Sequence, residues 1–130
     1  MVLFSNAFNS WATKTQQVLP DSSQKIVYCN YTGMVMLEIV IDPTGLNRWG
    51  TFHLFDANGR EIWKAMPSAV ALPASLATLE ANADLLNYDG GTGLYEYLNN
   101  NSGLIEVTNY CLIGMPAKIS ALKRAGAWFL

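Results

Sequence analysis

Apolar residues are densest between Lys25 and Lys64, and there they recur mostly with the two-residue period of a β-strand. Lys25–Thr32 alternates aromatic and branched residues with polar ones and predicts a strand, stopped by Gly33. Met34–Asp42 predicts a second. Val35, Leu37, Ile39 and Ile41 share one face of it, and Met34, Met36, Glu38 and Val40 the other. Apolar residues on both faces predict a central strand covered on both sides, with Glu38 at the rim of the covered face. Asp42-Pro43-Thr44-Gly45 has the composition of a turn. Thr51–Phe55 and Arg60–Ala65 predict the third and fourth strands. Asn58-Gly59 between them supplies the positive φ angles of a tight hairpin. Leu94–Leu98 and Leu104–Ile113 predict two more, joined as a hairpin through residues 99–103.

Three other stretches carry a helical period. Phe4, Phe8, Trp11 and Val18, with Thr15 in the remaining position, share one face of a helix from Asn6 to Leu19 that Pro20 ends. Pro73 opens a middle helix with the stripe Leu72, Leu76, Leu79, Ala83 and Leu86. Pro116 opens a last one with the stripe Met115, Ile119, Leu122 and Phe129; Lys123 and Arg124 in its last turns complement the helix dipole. The expected fold is α+β, in the order α-β-β-β-β-α-β-β-α. One mainly antiparallel sheet of about six strands carries an N-terminal, a middle and a C-terminal helix, in a single domain over residues 1–130.

Composition narrows the function classes. The chain of 130 residues suffices for one core. It is 51% hydrophobic and only 14% charged, against roughly 25% charged in a typical domain. The surface is therefore finished with Asn, Ser, Thr and Gly, or hidden in contacts. A net charge of −2 gives no electrostatic reason to bind nucleic acid or an anionic membrane. No run approaches the roughly 20 apolar residues of a membrane span. The N-terminus lacks the basic region of a secretory signal, so the cytoplasm or the interior of a particle is the expected location. Cys29 and Cys111 are too few for a disulfide scaffold and lack metal spacing, so reduced thiols on strands are expected. Asn30-Tyr31-Thr32 and Asn100-Asn101-Ser102 match the glycosylation pattern about as often as chance supplies it in a chain so rich in these residues.

Chemistry-bearing motifs are sparse. His53 is the single histidine and reads first as a structural or surface residue; the alternative is a base acting with Asp56 or Glu61, or with Glu38 across the sheet, in a small enzyme. Asp89-Gly90-Gly91-Thr92-Gly93 has a helix before it and a strand after it, the reverse of a phosphate loop, and reads as a helix stop and turn. No metal site and no cofactor is implied. Trp49, Trp63, Tyr95 and Tyr97 would line an aromatic pocket between sheet and helices in a small-ligand binding module.

The favoured expectation is a non-enzymatic structural or interaction protein that self-associates, such as a shell-, filament- or particle-like subunit. Charge is scarce, both ends are apolar, and charge is segregated. Glu80, Asp84, Asp89, Glu96 and Glu106 lie in a stretch without bases; after Cys111 only Lys118, Lys123 and Arg124 carry charge. The expected interface is Phe4, Lys118, Lys123, Arg124, Trp128, Phe129 and Leu130, set against the acidic stretch of a neighbouring copy. The plainer account is that the basic tail offsets the acidic stretch within one molecule.

Overall fold

The computed structural model describes residues 7–99, 102–110, 116–124 and 127–129, the last two stretches as backbone. Eight strands form one antiparallel sheet: β1 (Trp11–Val18), β2 (Gln24–Asn30), β3 (Val35–Ile41), β4 (Arg48–Phe55), β5 (Glu61–Ala65), β8 (Leu104–Tyr110), β9 (Pro116–Arg124) and β10 (Ala127–Phe129), side by side in that order. Two short strands, β6 (Tyr88–Asp89) and β7 (Leu94–Tyr95), pair with each other apart from this sheet. Among the described residues, helix is confined to α1 (Leu76–Glu80) and two 3-10 turns, Ala7–Asn9 and Pro67–Ala69.

The expected α+β arrangement of three helices on a sheet is therefore overturned. Residues 11–18 form β1 instead of the N-terminal helix. Trp11 faces the core, Thr13 and Thr15 add branched residues at the two-residue period, and Val18 is 66% exposed, so the helical stripe buries nothing at its far end. The middle helix shrinks to one turn. Ser75 caps it, its side chain accepting from the Ala77 N–H. The Asp84 carboxylate then accepts from the N–H groups of Asn87 and Tyr88, which draws the backbone out of helix. Leu85 and Asn87 take positive φ, and Leu79, Leu85 and Leu86 are all fully buried. The C-terminal helix is replaced by the hairpin β9–β10, in which Arg124 pairs with Ala127. Nor do 94–98 and 104–110 form a hairpin: β7 pairs with β6, while β8 lies between β5 and β9.

The strands expected between Lys25 and Lys64 are present, joined by tight turns. Asp42 organises the turn after β3, accepting from Thr44 Oγ1 and Asn47 Nδ2 at 2.7 Å each. Asp56 does the same after β4, accepting from the N–H groups of Asn58 and Arg60. One irregularity matters for packing. Tyr28 pairs with Leu37 but Cys29 pairs with Val35, which leaves Met36 as an extra residue on β3. This bulge turns Met36 into the core, where strict alternation would have turned it out.

The core lies on one face of the sheet. Ile26, Tyr28, Leu37, Ile39, Phe52, Ala65 and Ile105 point into it, and the excursion 66–103 between β5 and β8 caps it with Val70, Leu79, Leu85, Leu86, Tyr95 and Leu98. The cap sits close at Gly50, where a Cβ would stand 3.1 Å from the Val70 side chain. The other face is not covered by described residues. Val40 and Trp49, a cross-strand pair, are 37% and 48% exposed there. The expectation that β3 is covered on both sides is thus corrected. Glu38 sits on this outer face, 2.7 Å from Lys25 Nζ.

Candidate functional site

Three places concentrate features that a function could use: an aromatic cleft, a histidine pair and a free sheet edge.

The cleft is built by the cap. Tyr95, held nearly buried by β7, stacks at a tilt on Phe52 (6.0 Å between centroids), Trp63 (5.9 Å) and Tyr88 (5.0 Å). Tyr88 itself is half exposed. Two shallow depressions of about 520 and 600 Å³ meet at Asn87, Tyr88 and Tyr95. The larger runs between Asn9–Ser10, Leu54 and the turn 81–84. Burial pushes the Tyr95 hydroxyl pKa up, and the negative charge of Asp84 adds to it. Much of the polar rim is already engaged: Asp84 caps the following turn, Asn87 Nδ2 donates to Glu96 at 2.6 Å, and Asn9 exchanges two bonds with the Phe55 backbone.

Of the four aromatics expected to line one pocket, the fold brings Trp63 and Tyr95 together. Tyr97 is half-buried against the core, and Trp49 lies on the outer face of β4. Tyr88 and Phe52, missed in the sequence, complete the cluster. Tyr88 reaches Tyr95 only because Asp89–Gly93 closes a β6–β7 hairpin, and that loop reads from sequence as a helix stop.

His53 sits on the outer face of β4, with Nδ1 2.5 Å from Glu61 Oε1. Its other two candidate partners are engaged elsewhere: Glu38 with Lys25, and Asp56 with Arg60. The pair links β4 to β5, and neither depression includes it. Among the described residues no three His, Cys, Asp or Glu side chains gather to hold a metal ion. Cys29 is a free, half-buried thiol on β2, and Cys111 lies outside the described residues.

The free edge is β1. Residues 12–18 are all exposed, and among the described residues no strand other than β2 pairs with β1. The strand is held from its core side. Lys14 Nζ lies 2.6 Å from Glu80 Oε2, which also accepts from the Tyr28 hydroxyl at 2.7 Å. Trp11 packs edge-on against Tyr28 and donates from Nε1 to the Glu80 carbonyl. Of the expected assembly residues, those that are described fall at the opposite end of the sheet. Phe4 and Leu130 lie outside the described residues. Lys118, Lys123 and Arg124 belong to β9, and Trp128 and Phe129 to β10, all with side chains outside the description. Their acidic counterparts are divided: Glu80, Asp84, Asp89 and Glu96 belong to the cap, and Glu106 to β8, where it registers with Ser120 of β9.

The fold is thus a mostly antiparallel sheet with a one-sided cap. The chain matches no protein-family model, no curated protein and no solved structure. No helix among the described residues is long and apolar enough to cross a membrane.

Proposed function

We propose that this is a non-enzymatic structural or interaction protein that self-associates. The observation that carries this reading is the sheet's open end. Seven consecutive residues of β1 are exposed, on a strand with no proline and no inward-pointing unpaired charge to discourage pairing. The outer face, which no described residue covers, adds apolar area at Val40 and Trp49 on the same sheet. Sedimentation of the full chain over a concentration series tests it. A mass that rises with concentration is expected. A monomer at high concentration and physiological salt defeats the reading. Deleting residues 127–130 tests whether the far edge at β10 takes part.

The aromatic cleft supports a second reading, a small-ligand binding module. Tyr88 and Tyr95 line the larger depression beside Asn82 and Ser10, with Trp63 packed against Tyr95. Amide chemical-shift mapping with a panel of monosaccharides and small aromatic acids tests it. Shifts converging on residues 82–96 favour it, and a panel that perturbs nothing there removes it.

A further inference from the structure

Resting on the self-association reading, we propose that β1 pairs antiparallel with β1 of a second copy, about a two-fold axis through Gln16, making one continuous sheet across the dimer.

Backbone direction comes first. The Leu19 N–H donates to the Ser23 carbonyl at 2.8 Å, so Leu19 bonds inward across the β1–β2 hairpin. The register Thr13↔Cys29, Thr15↔Val27 and Gln17↔Lys25 continues it without a shift. In an antiparallel ladder alternate residues bond inward. Thr13, Thr15 and Gln17 therefore bond to β2, and the N–H and C=O groups of Lys14, Gln16 and Val18 point to the free edge. Such a row of unpaired groups is a template for one further strand.

Register comes second. A two-fold axis through Gln16 sets Gln16 opposite its own copy and Lys14 opposite Val18 of the other chain. Only this alignment pairs all three outward-bonding residues, each pair exchanging two bonds. Shifting the axis to Thr15 would bring in Ala12, where the bulge between Trp11 and Thr13 breaks the ladder. Shifting it to Gln17 would set Lys14 against Pro20, which has no N–H.

Side chains come third. In the Gln16 register the lysines never oppose each other. Lys14 is already anchored to Glu80, and its aliphatic stem lies beside Val18 of the other copy, covering a residue that is 66% exposed in the single chain. On the outer face Thr15 meets Gln17, an uncharged pair. The same patch serves both chains, so the contact closes as a dimer and does not propagate. A single strand pair buries less than a standard interface, so the dimer forms in a concentration-dependent way.

The bond directions supply the test. Gln16→Pro removes an outward N–H and leaves the β1–β2 ladder intact, a placement edge strands accept. In sedimentation, wild type should rise to twice the chain mass with concentration, while Gln16→Pro stays monomeric with an unchanged circular dichroism spectrum. In parallel, Gln16→Cys should oxidise to a covalent dimer that wild type, with its native thiols, does not form, because Cα atoms in such a pair lie about 5.5 Å apart. If wild type associates, Gln16→Pro associates equally and Gln16→Cys fails to cross-link, the β1 pairing is overturned while self-association stands. If wild type stays monomeric throughout, both fall. If Gln16→Pro unfolds, the cross-link alone decides.

Discussion

Asn30 is 1% exposed, and nearly all of its hydrogen-bonding capacity is used. Its Oδ1 accepts from the Thr32 N–H, the Thr32 hydroxyl and the Met34 N–H, closing the β2–β3 turn, and its Nδ2 donates to the Phe8 carbonyl. Asn30→Ala should lower stability by about 2–3 kcal/mol, read from the urea midpoint, because four part-buried hydrogen bonds are lost at once. Asn30→Asp should keep the acceptor bonds of the turn and lose the donation to the Phe8 carbonyl. In the sequence Asn30 registers only as the start of a glycosylation pattern, since its other partner lies 22 residues away. The same burial leaves it no room for a glycan. Glycines separate in the same way. Gly103 has φ +106°, and a Cβ there would stand 2.6 Å from the Ser68 carbonyl oxygen and against the Ala69 backbone. Gly45 has φ +78° and open space around it. Gly45→Ala should cost about 1 kcal/mol, the conformational penalty alone. Gly103→Ala should shift the urea midpoint several times further, and equal shifts would contradict this close approach of residue 103 to the turn at Ser68 and Ala69.

Among the elements, β2 to β5 were legible because period, turn chemistry and burial agree there. β1 was not. Trp11, Thr15 and Val18 fit a helical stripe, while Trp11, Thr13 and Thr15 fit a strand. What decides is the β2 strand beside them, and local pattern is blind to it. The cap was half legible. The stripe predicts its leucines buried, and Leu79 and Leu86 are, but so is Leu85, which lies off that stripe and takes a positive φ outside any helix. Of the candidate aromatic site, Trp63 and Tyr95 were readable as large apolar residues on strands. Their partner Tyr88 depends on a β6–β7 pairing just two residues long. The bond directions of β1 carry a prediction of their own. In dilute protein, amide hydrogen exchange along β1 should alternate, slow at Thr13, Thr15 and Gln17 and fast at Lys14, Gln16 and Val18. Uniform protection from 13 to 18 in the monomer would mean that this edge is already covered within one chain.

Across the whole molecule, ionisable groups at both margins set the pH range in which the fold is most stable. On the acid side, hydrogen bonds from Thr44 and then Asn47 hold the Asp42 carboxyl down at about 2, and hydrogen bonds from Lys14 and then Tyr28 hold Glu80 below its ordinary value. A depressed carboxylate contributes stability that is whole above its unfolded pKa and lost as pH falls toward its folded one. The losses should therefore begin below about pH 4.5 and continue toward about pH 2. On the alkaline side, burial first and Glu80 second raise the Tyr28 hydroxyl, and burial first and Asp84 second raise Tyr95, both above the ordinary value of 10.0. A raised hydroxyl contributes stability that is whole below its unfolded pKa and lost as pH climbs past it. The urea midpoint should therefore be level from about pH 5 to about pH 9 and fall on either side. Absorbance at the phenolate band separates the contributors. Of the six tyrosines, Tyr28 and Tyr95 should ionise only with loss of the fold. Glu80→Gln should take away its share of the acid-side loss and leave that of Asp42, because Glu80 ties β1 to α1 while Asp42 acts within its own turn. If all six tyrosines ionise near pH 10 while the circular dichroism spectrum is unchanged, the Tyr28–Glu80 contact and the burial of Tyr95 are both refuted.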